Sequence, residues 1–104
     1  MSEHYILEGR EPKPAELMEW ARWYENSKDR RVAKDEIGAI MVSTMFLGLN
    51  HQYGDGPPLL FETMIFGGPH DQYQERCSTW EQAEEMHRVA VELVRGALKT
   101  DGEL

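Results

Sequence analysis

The sequence predicts an α+β fold: one compact domain of order β-α-β-β-(β)-α, an antiparallel sheet with two helices packed on one of its faces. Three observations carry that prediction. Two segments, near residues 14–27 and 79–98, repeat their apolar residues at helical spacing. Two others, "IGAIMVSTMFLG" and "LLFETMIFGG", are dense in β-branched, aromatic and methionine side chains and flank a loop rich in glycine and proline. At 104 residues the chain is long enough for one core and too short for two.

"HYILEG" reads as a first strand, with Tyr5 and Leu7 on one side, Ile6 on the other and Gly9 ending it. "REPKP" is expected to connect, with Pro14 in the first turn of a helix. In "PAELMEWARWYENS", Leu17, Trp20, Ala21 and Tyr24 make one stripe, and Met18 and Trp23 fall off it. "NSKDRRVAKDE" is read as a loop or edge segment; it holds Lys28, Arg30, Arg31 and Lys34, four of the eleven basic residues. The two apolar runs are the second and third strands. Prolines 57 and 58 cannot donate to a ladder, so pairing should resume only after them. A short edge strand is expected around Gln74 to Cys77. The last helix is capped by Ser78 or Thr79, each with Glu81 or Gln82 three residues on. Its inner stripe is Trp80, Ala83, His87, Ala90, Val91 and Val94, and residues 98–104 are read as a frayed tail.

The formal charge of −8 argues against duplex nucleic acid as a direct partner, because phosphate contacts need a positive surface. A single cysteine, Cys77, excludes an internal disulfide and suits a reducing cytoplasm. The N-terminal "MSEHYILEGREP" lacks a basic region followed by an apolar stretch, so no signal peptide is expected. The longest apolar run is too short and too polar at Ser43 and Thr44 to span a bilayer. Four histidines with no i, i+4 pair and one cysteine make a poor metal set; neither a metal nor another cofactor is expected.

Polar residues inside the apolar strands are the candidates for chemistry. With the loop centred near Tyr53, Ser43-Thr44 and Glu62-Thr63 should be cross-strand neighbours, one of each pair facing the helices and the other facing out. Glu62 either hydrogen-bonds Ser43, Thr44 or a basic side chain and sets register, or acts at the rim of a pocket. His87 on an inner stripe is either a satisfied core residue or, aimed at Glu62, half of an acid-base couple. His51 and Tyr53 sit in the glycine-rich loop, where exposure favours binding; His4 and His70 are expected at the surface. The basic segment with Arg30 and Arg31 is a solvated face or an anion contact. Apolar residues on both faces of the central strands favour a homo-oligomer.

"VSTMFLGLNHQYGDGPPLLFETMIFGG" and "ERCSTWEQAEEMH" together resemble a family of small bacteriophage and prophage accessory proteins. The likeness spans about residues 40 to 90, with a looser echo in "WARWYE", and includes Ser43, Thr44, Gly48, His51, Pro57, Pro58, Glu62, Thr63, Thr79, Glu84 and His87. Asn50 stands where such proteins more often carry aspartate, and Cys77 where tyrosine is frequent. The resemblance implies a non-catalytic counter-defence protein in the cytoplasm of an infected bacterium. It would be homo-oligomeric and would sequester a small polar anionic ligand such as a host nucleotide-derived immune signal. In that reading Tyr53 stacks, His51, Arg30 and Arg31 meet the anion, and Ser43, Thr44, Glu62, Thr63 and His87 form the polar lining. Two alternatives come from other classes: a small hydrolase or phosphodiesterase using His51, Glu62 and His87 as acid-base groups, and an inhibitor that binds a host protein, for instance as an acidic nucleic-acid mimic.

Overall fold

The computed structural model describes residues 3–27 and 30–102, with side chains through residue 99. The order is β1 (Tyr5–Glu8), β2 (Glu11–Pro14), α1 (Leu17–Asn26), β3 (Arg31–Ile37), β4 (Ile40–Phe46), β5 (Phe61–Phe66), β6 (Gln74–Cys77) and α2 (Trp80–Gly102). β3 to β6 form an antiparallel meander in chain order, and β1-β2 form a separate hairpin. The α+β expectation holds.

Two segments differ from the sequence reading. "REPKP" is not a connector: it supplies β2, which pairs with β1 from Tyr5↔Pro14 to Glu8↔Glu11. In a two-stranded ribbon every strand is an edge, where proline's missing N–H is tolerated. Helix α1 therefore starts at Leu17, with Glu16 as an N-cap that makes no side-chain bond, and Leu17 and Met18 stay exposed. The charged stretch after α1 is the edge strand β3, joined to β4 by Gly38-Ala39. Gly38 has φ +62°, the conformation a two-residue hairpin wants at its first central position. Period 2 was hidden there because the outward residues Lys34 and Glu36 alternate with an inward column, Ala33, Asp35 and Ile37, that a carboxylate interrupts.

The register of β4 on β5 runs Met41↔Phe66, Ser43↔Met64, Thr44↔Thr63, Met45↔Glu62 and Phe46↔Phe61. Even positions of β4 and odd positions of β5 face inward. Two core clusters fill that side. Ile40, Val42 and Ile65 pack on Ala90 and Val94 of α2. Phe46, Leu60 and Phe61 pack on Ala83, with Tyr5, Leu7, Trp23 and Trp80 around them. Trp23, which periodicity placed off the stripe, meets Phe46 edge-on at 5.7 Å. Both helices serve the same face, α2 by its length and α1 through Trp23.

Thr79 caps α2: Gln82 N donates to Thr79 Oγ1 (3.1 Å), and Gln82 Oε1 accepts from Ser78 N and Thr79 N. This is the reciprocal box the sequence predicts. At ~1.5 Å per residue α2 is about 34 Å long and overruns the sheet. It continues to Gly102, into the segment read as a tail. None of the described helices is long and apolar enough to cross a membrane.

Candidate functional site

The nine residues singled out from sequence do not converge. Three of them, Thr44, Thr63 and His87, form a buried chain on the inner face. Thr44 and Thr63 are fully buried and their hydroxyls hydrogen-bond each other. Thr44 Oγ1 lies 2.7 Å from His87 Nδ1, and His87 Nε2 lies 2.7 Å from Asp35 Oδ2. A neutral histidine donating through Nε2 to the carboxylate accepts at Nδ1, so Thr44 donates to His87 and Thr63 donates to Thr44. Every polar atom in that chain is then satisfied. The carboxylate-imidazole-hydroxyl order is that of a hydrolytic triad, but the hydroxyl is 0% exposed and no substrate can reach it.

Asp35 escaped the sequence reading because it sits in a charged run. Its signal was position: Ala33, Asp35 and Ile37 share the inward register of β3, opposite Thr44, Val42 and Ile40.

Ser43 and Glu62 lie on the opposite face of the sheet. Glu62 does not approach His87; the β-pleat separates them, so the acid-base couple is not formed. Its Oε2 instead accepts from Arg76 Nε (3.0 Å) and Gln74 Nε2 (2.5 Å) on β6. This is the register-setting alternative, with a basic partner supplied by the next strand.

The loop residues occupy a third place. Tyr53 is 94% exposed, and His51 contributes a backbone bond from its N to Leu59 O. The loop is shaped by two side chains the sequence reading left aside. Asn50 Oδ1 accepts from Gln52 N and Leu59 N, while Gln52 bonds Gly54 N and Pro57 O. Gly48 lets the loop begin: at φ +79° its missing Cβ would lie 3.1 Å from Trp20 Nε1. Arg30 is taken up by the ring of Tyr24, 3.9 Å from its centroid, and Arg31 sits on the outward edge of β3. Lys28 lies outside the described residues. His4 is not a bare surface residue; it stacks on Trp20 at 4.9 Å.

A cleft of about 270 Å³ lies elsewhere, where the β1-β2 hairpin, the end of the loop and the N-terminus of α2 meet. Its walls are Tyr5, Pro12, Pro57, Pro58 and Trp80; Thr79 and Arg10 add polar groups, and Glu11 and Glu81 add carboxylates. The Arg10 guanidinium carbon stands 5.3 Å from the Trp80 ring centroid, a cation-π stack. Trp80 is anchored from behind by an edge-on contact with Phe61 at 6.1 Å, and its indole N–H has no acceptor among the described residues. The loop borders this cleft through Pro57 and Pro58 and not through His51 or Tyr53. Arg10 was missed because it sits in a segment read as a connector.

Cys77 is set into the inner face beside Phe61. Burial pushes its thiol up to about 11, against the weaker downward pull of a backbone hydrogen bond at Thr79. A thiol so raised stays protonated at neutral pH and is a poor nucleophile. Alkylation at pH 8 should be roughly 100-fold slower than for a free cysteine, and its rate should climb about tenfold per pH unit up to about pH 11. A pH profile of iodoacetamide labelling followed by intact mass checks this; fast labelling at pH 7 in the folded protein contradicts it.

Among the described residues no group of three or more His, Cys, Asp or Glu is placed to hold a metal ion. Comparison with family models, curated proteins and solved structures finds no significant match to this chain.

Proposed function

We propose that this chain is a non-catalytic accessory protein, of the bacteriophage kind its sequence resembles, that binds a small ring-bearing anion in the cleft at the N-terminus of α2. The observation that carries this reading is the Arg10-Trp80 stack at that cleft. An indole face with proline and tyrosine walls accepts a flat ring. The guanidinium and the positive end of a 23-residue helix favour negative charge beside it.

The carboxylates of Glu11 and Glu81 limit how much negative charge the cleft accepts. One guanidinium and about half a positive charge at the helix end against two carboxylates leave the lining slightly negative. The cleft therefore accommodates at most a single charge set directly on Arg10 and the helix end, and disfavours a triphosphate. A cyclic nucleotide, the class to which host immune signals of this type belong, has that form. The hydrolase alternative loses its support, because His51, Glu62 and His87 occupy three separate places and the Thr44 hydroxyl that His87 meets is fully buried.

Titration of indole fluorescence with cyclic mono- and dinucleotides, and with nucleoside triphosphates for comparison, tests the reading. Cyclic nucleotides should quench and should be recovered intact after denaturation. Arg10→Glu, an exposed change, should weaken binding at least tenfold with unchanged circular dichroism. Unaltered affinity in Arg10→Glu, or recovery of a hydrolysed product, overturns it.

A further inference from the structure

Among the described residues no helix covers the second face of the sheet. α2 packs on the inner side of β3 to β6, and α1 reaches the same side through Trp23. The outer side is a grid set by the strand register. One row across β3, β4, β5 and β6 is Arg31, Met45, Glu62, Arg76; the next is Lys34, Ser43, Met64, Gln74; the third is Glu36, Met41, Phe66. Its centre is apolar and rich in methionine. A shallow dent of about 110 Å³ opens there, floored by Ser43 and walled by Met45, Glu62, Met64 and Phe66. Phe66 is 39% exposed.

We propose that this outer face binds a second copy of the chain, as an isologous dimer whose two-fold axis lies in the interface, perpendicular to the strands. This stands on the sheet alone and does not depend on what the cleft binds. Two properties of the face select a copy of itself. The first is charge. The chain carries −8, yet this face bears Arg31, Lys34 and Arg76 against Glu36 and Glu62, so two such faces meet without the repulsion that the acidic surface elsewhere would impose.

The second is the arrangement of those charges. A two-fold axis along the middle row keeps each strand over its counterpart and exchanges the first row with the third. Arg31 of one protomer then faces Glu36 of its partner, twice by symmetry. Met45 faces Met41, and Met64 and Lys34 each face their own copies. Glu36 is shared between Lys34 of its own chain at 3.3 Å and Arg31 across the interface, and Phe66 comes to the Glu62-Arg76 pair. The alternative axis, along the strands, sets Arg31 against Arg76 and is disfavoured. Methionine's flexible thioethers suit a face that must pack on its own image.

With strands of six or seven residues, the face is about 20 Å square. Two such faces cover only about 800 Å² together, below the usual size of a permanent interface, so the dimer is expected to be a weak one with a dissociation constant in the tens of micromolar.

Sedimentation equilibrium from about 1 to 200 µM tests the proposal. The wild-type chain should pass from monomer to dimer across that range. Met64→Lys should raise the dissociation constant at least tenfold while circular dichroism stays unchanged. Arg31→Glu and Glu36→Arg should each weaken the dimer about five- to tenfold, and the two together should restore it. A wild-type chain that stays monomeric at 200 µM overturns the proposal and leaves the face to a different macromolecule. A dimer indifferent to Met64→Lys and to both charge reversals also overturns it, since another surface must then carry the contact.

Discussion

Phe61→Ala should lower stability by about 3–5 kcal/mol, the largest loss expected from any single substitution in the chain. Phe61 is fully buried at the centre of an aromatic chain, 5.3 Å from Phe46 and 6.1 Å from Trp80. It ties β5 to the edge-on Trp23-Phe46 contact on one side and to the start of α2 on the other. Removing the ring leaves a cavity that Phe46 and Leu60 cannot close without moving the strands that hold them. For a domain of this size, urea denaturation should show a midpoint lowered by more than 1 M. Because Phe61 backs Trp80, ligand affinity at the cleft should fall together with stability. Phe61→Leu, which keeps most of the volume, should lose less than about half as much. Equal losses for alanine and leucine would place the effect outside packing.

His87→Ala should cost about 2–4 kcal/mol, because it deletes a buried ring and leaves the Thr44 hydroxyl donor without an acceptor in the core. Thr44→Val alone should cost about 1–3 kcal/mol, since Thr63 and His87 Nδ1 then lose their partner. Replacing the whole chain, with Thr44→Val, Thr63→Val and His87→Leu together, should recover most of that loss. A buried polar group is expensive chiefly when left half-paired. Chemical denaturation of the three variants is the measurement. A triple variant far less stable than Thr44→Val would mean that the network contributes more than its own satisfaction.

These two predictions mark what could be read in the residues alone. Helix α2 was legible to its cap, because a capping box and an unbroken apolar stripe are local signals. The pairing of Thr44 with Thr63 was legible from their equal distance to the loop tip, because antiparallel register is counted from a turn. Strand β3 was harder. Its inward column contains Asp35, and a carboxylate in an inward register breaks the apolar alternation that marks a strand. Strand β2 was harder still, since "EPKP" pairs through its backbone and has no apolar pattern to report.

Fold class, the long capped helix and the two-sided apolar strands were readable from the residues, since periodicity and turn chemistry are written within a few positions of where they act. Where the chemistry lies depends on packing between distant segments. Pleating sent Thr44 and Glu62 to opposite faces, α2 brought His87 to Asp35 across 52 positions of chain, and the hairpin carried Arg10 onto Trp80. Each of these contacts joins residues far apart in sequence. Composition and spacing report what a residue can do, while its partner is set by long-range packing.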